Sequence, residues 1–584
     1  MKRFSLFAIV LVASLLTMCS EDNKIQPVAS ITLDPTTGSG KPGEVVTVNL
    51  SFDAPNGAKE LHVMEKGIEI DIVDLAGVGS PTTYEYTVPS DAVIGSTIAL
   101  GFQLLDGQNY GSAVATFVIT VGETLEGTIA ANRTLDADQQ YIIKGQVFVP
   151  NGVTLTIPAG TILKGDKASK GTLIVQPGGK LESLGEANNP VVFTSAQAVG
   201  ARDRGDWGGI VLLGNAFVNQ TSKPSIEGIT PTQTFGSSLA ESATPATNAT
   251  ENSGTIRYTR IEYAGIELTP NNETNSLTMG GIGNGTTIEY VQVSFGGDDG
   301  FEWFGGTVNA KYLISESTWD DDFDTDYGWG GNVQFGLVVR NTFFADQSGS
   351  NAFESDNQGN GNTIVGICDG STQAGCTRGV FSNITVLGPR EIQSRTISAN
   401  YQNAAHIRRR TAISIFNSYF SGFRVGIRLD DQGTLDNLTA GAGKHAYNVL
   451  SVPGTTRIGA STSASDANFA TGLSAGDATA VATYWTNNSN GDFNNITTTT
   501  PHNDIGINPA IFWSTANSST YPSNPDFRLL AGVAGANNLN SGANFADPKV
   551  SGAFFTSTTH RGAFSATVDW TDGWSEFQPL NKAY

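Results

Sequence analysis

The chain has 584 residues and a formal net charge of -22, with 33 Lys and Arg against 55 Asp and Glu. So acidic a surface repels nucleic acid and anionic lipid, and it favours cations or cationic partners. A charged fraction of only 15% with 68 glycines argues against helical bundles and fits an all-β chain rich in turns. The length suffices for two or more cores.

At the N-terminus, Lys2 and Arg3 precede the apolar run Phe4 to Leu16. The run is too short to span a bilayer as a stable helix and has the proportions of a signal peptide. It ends at Leu16-Thr17-Met18-Cys19, followed by Ser20-Glu21-Asp22. This segment resembles a bacterial lipoprotein signal, in which the cysteine is lipidated and becomes the first residue of the mature chain. The acidic stretch is similar to the export tag of surface lipoproteins of the Bacteroidota. The resemblance implies a signal over residues 1–19, a lipid on Cys19, a tether over 20–27 and display on the extracellular face of the outer membrane. Met18 departs from the pattern, which usually has a small residue there, and an ordinary secretory signal is the alternative. No later stretch reads as a membrane-spanning helix.

From residue 28 to 122 strand follows strand. Val46, Val48, Leu50 and Phe52 alternate with Thr47, Asn49 and Ser51, as do Tyr84, Tyr86 and Val88 with their neighbours. Such alternation buries one face and wets the other. Pro42-Gly43, Pro55-Asn56-Gly57 and Asp106-Gly107 mark turns. The rhythm predicts an immunoglobulin-like β-sandwich without its disulfide, acting as a spacer.

Residues 123–584 read as a repeat. Gly152-Val153-Thr154-Leu155 recurs as Gly178-Gly179-Lys180-Leu181, and Val147-Phe148-Val149 as Leu173-Ile174-Val175, both at an offset of 26 residues. A looser frame continues through Thr255-Ile256, Thr287-Ile288, Thr307-Val308, Val380 and Ile413. Short strands split by Gly or Asn turns, with no helical period, predict a right-handed parallel β-helix in which each repeat adds a rung. Propeller blades, at about 40–50 residues, do not match this offset. The Gly/Ser/Thr/Asn-rich stretches at about 228–254 and 454–500 are expected to be loops.

The run Val149-Pro150-Asn151-Gly152-Val153-Thr154-Leu155-Thr156-Ile157-Pro158-Ala159-Gly160-Thr161, followed by Gly205-Asp206-Trp207-Gly208-Gly209-Ile210, resembles the pectin-lyase-like surface lipoproteins of Bacteroidota. It is also similar to an outer-membrane lipoprotein family of leptospires. The resemblance spans roughly residues 123–584, including Arg561-Gly562-Ala563-Phe564 and Gly573-Trp574. It implies the β-helix and leaves function open, because the fold hosts many activities.

The most unusual composition lies between Gly296 and Asn357. Phe301-Glu302, Phe323-Asp324 and Phe353-Glu354 share one frame, with Ile427-Arg428 as a candidate fourth member. On successive rungs this stacks Phe inside and Glu302, Asp324 and Glu354 outside, at about 4.8 Å per rung. Asp298, Asp299, Asp320, Asp321, Asp322, Asp326 and Asp356 lie beside them. Repelling carboxylates at that spacing have raised pKa values unless neutralised. The candidate neutralisers are Ca²⁺, or Arg340, Arg428 and the run Arg408-Arg409-Arg410. A structural ladder of hydrogen-bonded acids is the plainer alternative.

Two carboxyls at about 5–9.5 Å would serve a glycosidase, and Asp298-Asp299 resembles the paired aspartates of polygalacturonases. Their Gly-His-Gly motif is absent, and no histidine lies between His62 and His406. A lyase would need a base, for which Lys311, Arg340 and Arg428 are candidates. Trp303, Trp319 and Trp329, with Trp207, are candidate sugar-stacking contacts, although large aromatics more often pack inside. The basic cluster His406 to Arg410 is a candidate counter-charge to the acids. The spacing of Cys368 and Cys376 allows a small disulfide-closed loop. No catalytic residue is assigned. The expected role is a surface binding or structural lipoprotein contacting a glycan or surface protein, with calcium as the candidate cofactor. The alternative is a lyase or hydrolase of acidic glycans.

Overall fold

A computed structural model describes residues 29–584, apart from 93–95, 138, 270–271, 358–367, 369–374, 393, 452–455, 461–476, 487–492, 514–520 and 536–537. The signal, Cys19, the tether and much of the 454–500 stretch lie outside the described residues. The chain divides into two compact units, Met1–Val121 and Gly122–Tyr584.

The first unit is an immunoglobulin-like sandwich of a three-stranded and a five-stranded sheet. Val45–Asp53 alternates as expected, with Val46, Val48 and Leu50 buried. They meet Leu61, Val63, Leu100, Phe102, Phe117 and Ile119 from the other sheet in one core.

The second unit is a parallel β-helix whose strands stack into three faces. The first face runs through Gln140–Ile143, Ile162–Gly165, Val291–Ser294, Leu313–Glu316 and Gly336–Val339. The second runs through Gln146–Val149, Thr172–Val175, Ile210–Leu213, Leu277–Gly280, Phe301–Phe304, Phe323–Asp326 and Phe353–Ser355. The third runs through Thr154–Pro158, Lys180–Leu184, Thr287–Glu289 and Asn309–Lys311. The 26-residue offset is one turn of this coil, since Val147 pairs with Leu173 and Leu155 with Leu181.

In the later frame the register moves two members: Thr287 pairs with Asn309, not Thr307, and Val380 pairs with Ser414, not Ile413. Ala310 pairs with Val333, Val333 with Phe381, and Phe381 with Ile415. Ile288, Ala310, Val333, Phe381 and Ile415 are therefore one inward column, all buried. Two short helices, Gln432–Thr439 and Asp477–Thr486, interrupt a stretch expected to hold none. The first is capped by Asp431, whose carboxylate accepts the Thr434 N–H.

The bend between the third and first faces explains why the coil turns tightly without a glycine on every rung. Tyr258, Tyr290, Tyr312 and Phe335 all have φ between 44° and 64°, a left-handed conformation costing about 1–2 kcal/mol per residue. Their rings stack in sequence, with centroids 4.3, 4.3 and 5.0 Å apart, and this contact offsets the strain. On later rungs Asn383 and Asn417 take the position, and asparagine tolerates it. Trp570 and Trp574 close over the ladder. They belong to the C-terminal segment, which lies along this side of the coil: Gln292 bonds Glu576, and Asn383 bonds His560 and Gly562.

The candidate acidic face

The two-residue period of the second face decides which side chains it offers. Phe301, Trp303, Phe323 and Phe353 point inward and are fully buried, while Glu302, Asp324, Asp326, Glu354 and Asp356 point outward. Glu302 pairs in register with Asp324, Asp324 with Glu354, Glu354 with His406, and His406 with Arg428. Arg428 thus joins the column one rung later than the sequence frame placed it, because His406 intervenes. On earlier rungs the same face is apolar and covered. There Ile174, Val211 and Leu213 pack beneath Ile226, Ile229 and Phe235 of an insertion that contains the hairpin Ser225–Ile226/Gln233–Thr234.

The acids at the corner leading into this face form a ladder of their own. The Asn275 side-chain oxygen accepts the Asp299 N–H at 3.3 Å, and Asp299 accepts the Asp321 N–H at 2.8 Å. Asp321 accepts the Asn351 N–H at 2.5 Å, and Asn351 accepts the Asn403 N–H at 3.1 Å. Each side chain satisfies the backbone donor of the following rung, which fixes Asp299 and Asp321 in place.

Neutralisation divides the acids into two groups. Arg408 pairs with both Glu354 and Asp356, Arg409 pairs with Asp356, and His406 lies 3.5 Å from Glu354 and 2.8 Å from Asp430. Burial raises the Glu354 carboxyl, but Arg408, His406 and Arg409 overcome it and bring the pKa down to about 2. Arg340, fully buried, lies 3.3 Å from Asp322 and bonds Thr318 at 2.6 Å. Burial still prevails at Asp322, whose pKa is raised to about 6.

Asp298, Asp299, Glu302, Asp320 and Asp324 form no ion pair among the described residues, although Arg340 lowers the Asp320 carboxyl and Arg408 interacts with Asp324 at longer range. Burial pushes Asp298, Asp299, Glu302 and Asp324 well above the ordinary carboxylate range, and neighbouring acids push further. Asp320 is raised to about 7, by burial first and then by Glu354 and Asp346. Glu302 accepts an amide N–H from Asn275, but no donor reaches the Asp324 carboxylate among the described residues, and its Oδ1 is buried without a hydrogen bond. Carboxylate oxygens of Asp299, Glu302 and Asp324 lie within 4.8 Å of one another, as do those of Asp298, Asp299 and Asp320. Such a set of hard oxygen donors suits Ca²⁺.

Two acids that the sequence reading missed add to this field. Glu227, on the insertion hairpin, acts on Asp298 and Glu302, and Glu273 acts on Asp298. Both stand in insertions between rungs, where no repeat register reaches them.

Other candidates fall elsewhere. Trp303 and Trp329, like Trp207, are fully buried in the core and have no face to offer a sugar, which corrects their assignment as contacts. Trp319 is half-buried; its Nε1 donates to Asp346 at 2.6 Å, and the Arg204 guanidinium lies 3.5 Å over its ring. Lys311 belongs to the third face, where it bonds Thr556 and stacks on Phe554, so it is not beside the acids. Arg340 and Arg428 are held by Asp322 and Asp430. Cys368 and Cys376 are joined as a disulfide with Cα atoms 5.8 Å apart, and the Asn437 amide donates to the Cys368 sulfur at 3.3 Å.

Three stacked faces, one continuous core and a lateral row of carboxylates define a parallel β-helix of the pectate-lyase type. The description "Pectate-lyase like beta helix domain" matches residues 127–490, and the chain belongs to that family. Neither a curated protein sequence nor a solved structure matches the chain.

Proposed function

We propose that this is a non-enzymatic binding protein whose acidic face holds calcium at Asp299, Glu302 and Asp324 and, through it, contacts a glycan or a surface protein. The observation that carries this reading is the Asp324 carboxylate, which has no hydrogen-bond donor and no ion pair among the described residues and keeps one oxygen buried, while the neighbouring acids raise its pKa. A buried carboxylate left in that state is costly, and a bound cation relieves it. Trp319, at the edge of the same corner, supplies an aromatic contact once Arg204 moves aside. In this reading Cys19 carries a lipid that anchors the protein at the extracellular face of the outer membrane, and nucleic acid is not a partner.

The test is calcium titration by calorimetry on the chain lacking residues 1–19, with Asp324→Asn as control. Binding that disappears in the variant supports the site, and equal heats in both proteins overturn it. Anchoring is tested by labelling cells with a radioactive fatty acid: Cys19→Ala loses the label if the reading holds and keeps it otherwise. Family membership also favours a second reading, a lyase or hydrolase of acidic glycans acting at the same face. Release of new chain ends from a uronate polymer by the native protein, abolished in Asp324→Asn, would establish it in place of the first.

A further inference from the structure

We infer that the edge strand Ile68–Asp74 of the sandwich is a docking site for a basic partner, an extended segment that alternates Lys or Arg with apolar residues and adds to the sheet as a further strand.

Topology leaves this edge open. Ile68–Asp74 is the terminal strand of the five-stranded sheet, and its one pairing among the described residues is antiparallel, with Ala58–Glu65. Such an edge presents a row of backbone N–H and C=O groups to whatever strand arrives. The other three edges of the sandwich are less inviting. Ser30–Leu33 and Thr37–Gly40 have four residues each. Thr82–Thr87 is half threonine, and its tyrosines are engaged by Asp71 and Glu65.

The strand is also apolar where it meets water. Ile68, Ile70 and Ile72 are 71%, 44% and 49% exposed, a grouping that marks an interaction surface where a single exposed residue would not. The pairing register shifts between Val63 and Met64, which leaves Ile70 without a cross-strand partner. Ile72 stands opposite His62 on the outer face of the sheet. On that same face Met64 and the exposed Val114 lie together over Gly101, so the apolar surface continues inward from the edge.

Charge selects the partner. The strand carries Glu69, Asp71 and Asp74 with no Lys or Arg, and its neighbour adds Glu60 and Glu65 against Lys59. Glu69 contacts His62, Asp71 accepts the Tyr84 hydroxyl and Asp74 accepts the Ala76 N–H. No Lys or Arg pairs with these three acids among the described residues. A second copy of the strand would bring three more acids to the seam, and like charges across a strand pair destabilise it. A basic strand meets the acids with opposite charge and lays its apolar side chains beside Ile70 and Ile72. In such additions the main-chain bonds supply affinity and the alternate side chains supply specificity.

The experiment titrates two labelled peptides with the protein lacking residues 1–19 and follows fluorescence anisotropy. One is Lys-Ile-Lys-Val-Lys-Ile-Lys; the other, Lys-Pro-Lys-Pro-Lys-Pro-Lys, has the same charge but lacks a backbone donor at every second residue. The first is expected to bind at least tenfold tighter and to slow hydrogen exchange at residues 68–74. Ile68→Lys and Ile70→Lys, both at exposed positions, should keep the native melting temperature and weaken that peptide at least tenfold. Equal binding of the two peptides, or no loss in either variant, places the attraction in the acidic chain at large and overturns the docking site. Absence of binding overturns it as well. A dimer of the native protein in sedimentation, abolished by Ile70→Lys, gives the edge to a second copy and overturns the basic partner.

Discussion

Glu354 and His406 sit opposite each other on adjacent rungs, with His406 Nδ1 3.5 Å from the Glu354 carboxylate, and at that step the outward column changes from acid to base. Above it stand Glu302 and Asp324; below it stand His406 and Arg428, with Arg408 reaching back to Glu354 and Asp356. The stacking that forces like charges together at one end of the face supplies the counter-charge at the other.

Arg408 is therefore expected to be a main support of the lower half. Its loss leaves two largely buried carboxylates poorly compensated, so Arg408→Gln should lower stability by about 3 kcal/mol. Adding Glu354→Gln should recover part of that loss, because fewer unpaired charges then remain. Denaturant melts of the two variants check this. An unchanged single variant, or a double variant no better than the single, would show that the pairing contributes nothing.

Calcium should act on the upper half. A ligand bound only by the folded chain stabilises it by about 2.7 kcal/mol at a free concentration a hundred times its Kd. The melting temperature of the native protein should rise with calcium, fall again with a chelator and respond far less to magnesium. If Asp324→Asn shows the same rise, the effect arises elsewhere.

The two tryptophans flanking the acids should behave differently on truncation. Trp303 is fully buried against Phe301, Phe323 and Trp329, so Trp303→Ala should cost about 3–5 kcal/mol. Trp319 is half-buried at the corner, so Trp319→Ala should cost clearly less while weakening any glycan contact. Equal destabilisation in thermal melts would place Trp319 in the core's service alone.

The contrast between those residues shows what the sequence could reveal. Phe301, Phe323 and Phe353 recur with an acid after each, and a stack of parallel rungs turns that recurrence into a column. The same period of two places Trp303 beside Phe301 on the inner side, so its burial was legible in the sequence. Trp329 follows a turn, where no period applies. The ladder of Asn275, Asp299, Asp321, Asn351 and Asn403 needs three-dimensional register, because insertions of different length separate its members. Glu227 and Glu273 reach the site from such insertions. The C-terminal cover has almost no regular strand, so alternation cannot announce that it closes over the aromatic ladder.

That cover gives the chain a proton-linked element far from the acidic face. Glu262 and Glu316 occupy the first face beneath the C-terminal segment and are 1% and 0% exposed. Tyr584 donates its hydroxyl to Glu262, Ser294 donates to Glu316 at 3.0 Å, and one oxygen of each acid is buried without a hydrogen bond. Glu262 has Arg260 at 3.6 Å, whereas no ion-pair partner of Glu316 is found among the described residues. Burial raises both carboxyls, and at Glu316 the neighbouring Glu576 and Glu262 raise it further. A carboxyl whose folded pKa exceeds its unfolded value binds its proton more tightly in the folded state. Its contribution is therefore full below about pH 4.3, the unfolded value, and is lost as pH rises toward the folded pKa. The native protein should lose stability across that window, and Glu316→Gln, which stays neutral at every pH, should lose less. The difference between their melting temperatures should widen from acid to neutral pH, with hydrogen exchange at residues 570–584 rising in the native protein first. Parallel curves for the two proteins would mean that Glu316 keeps the same charge state folded and unfolded, and the link between its proton and the C-terminal cover would be lost.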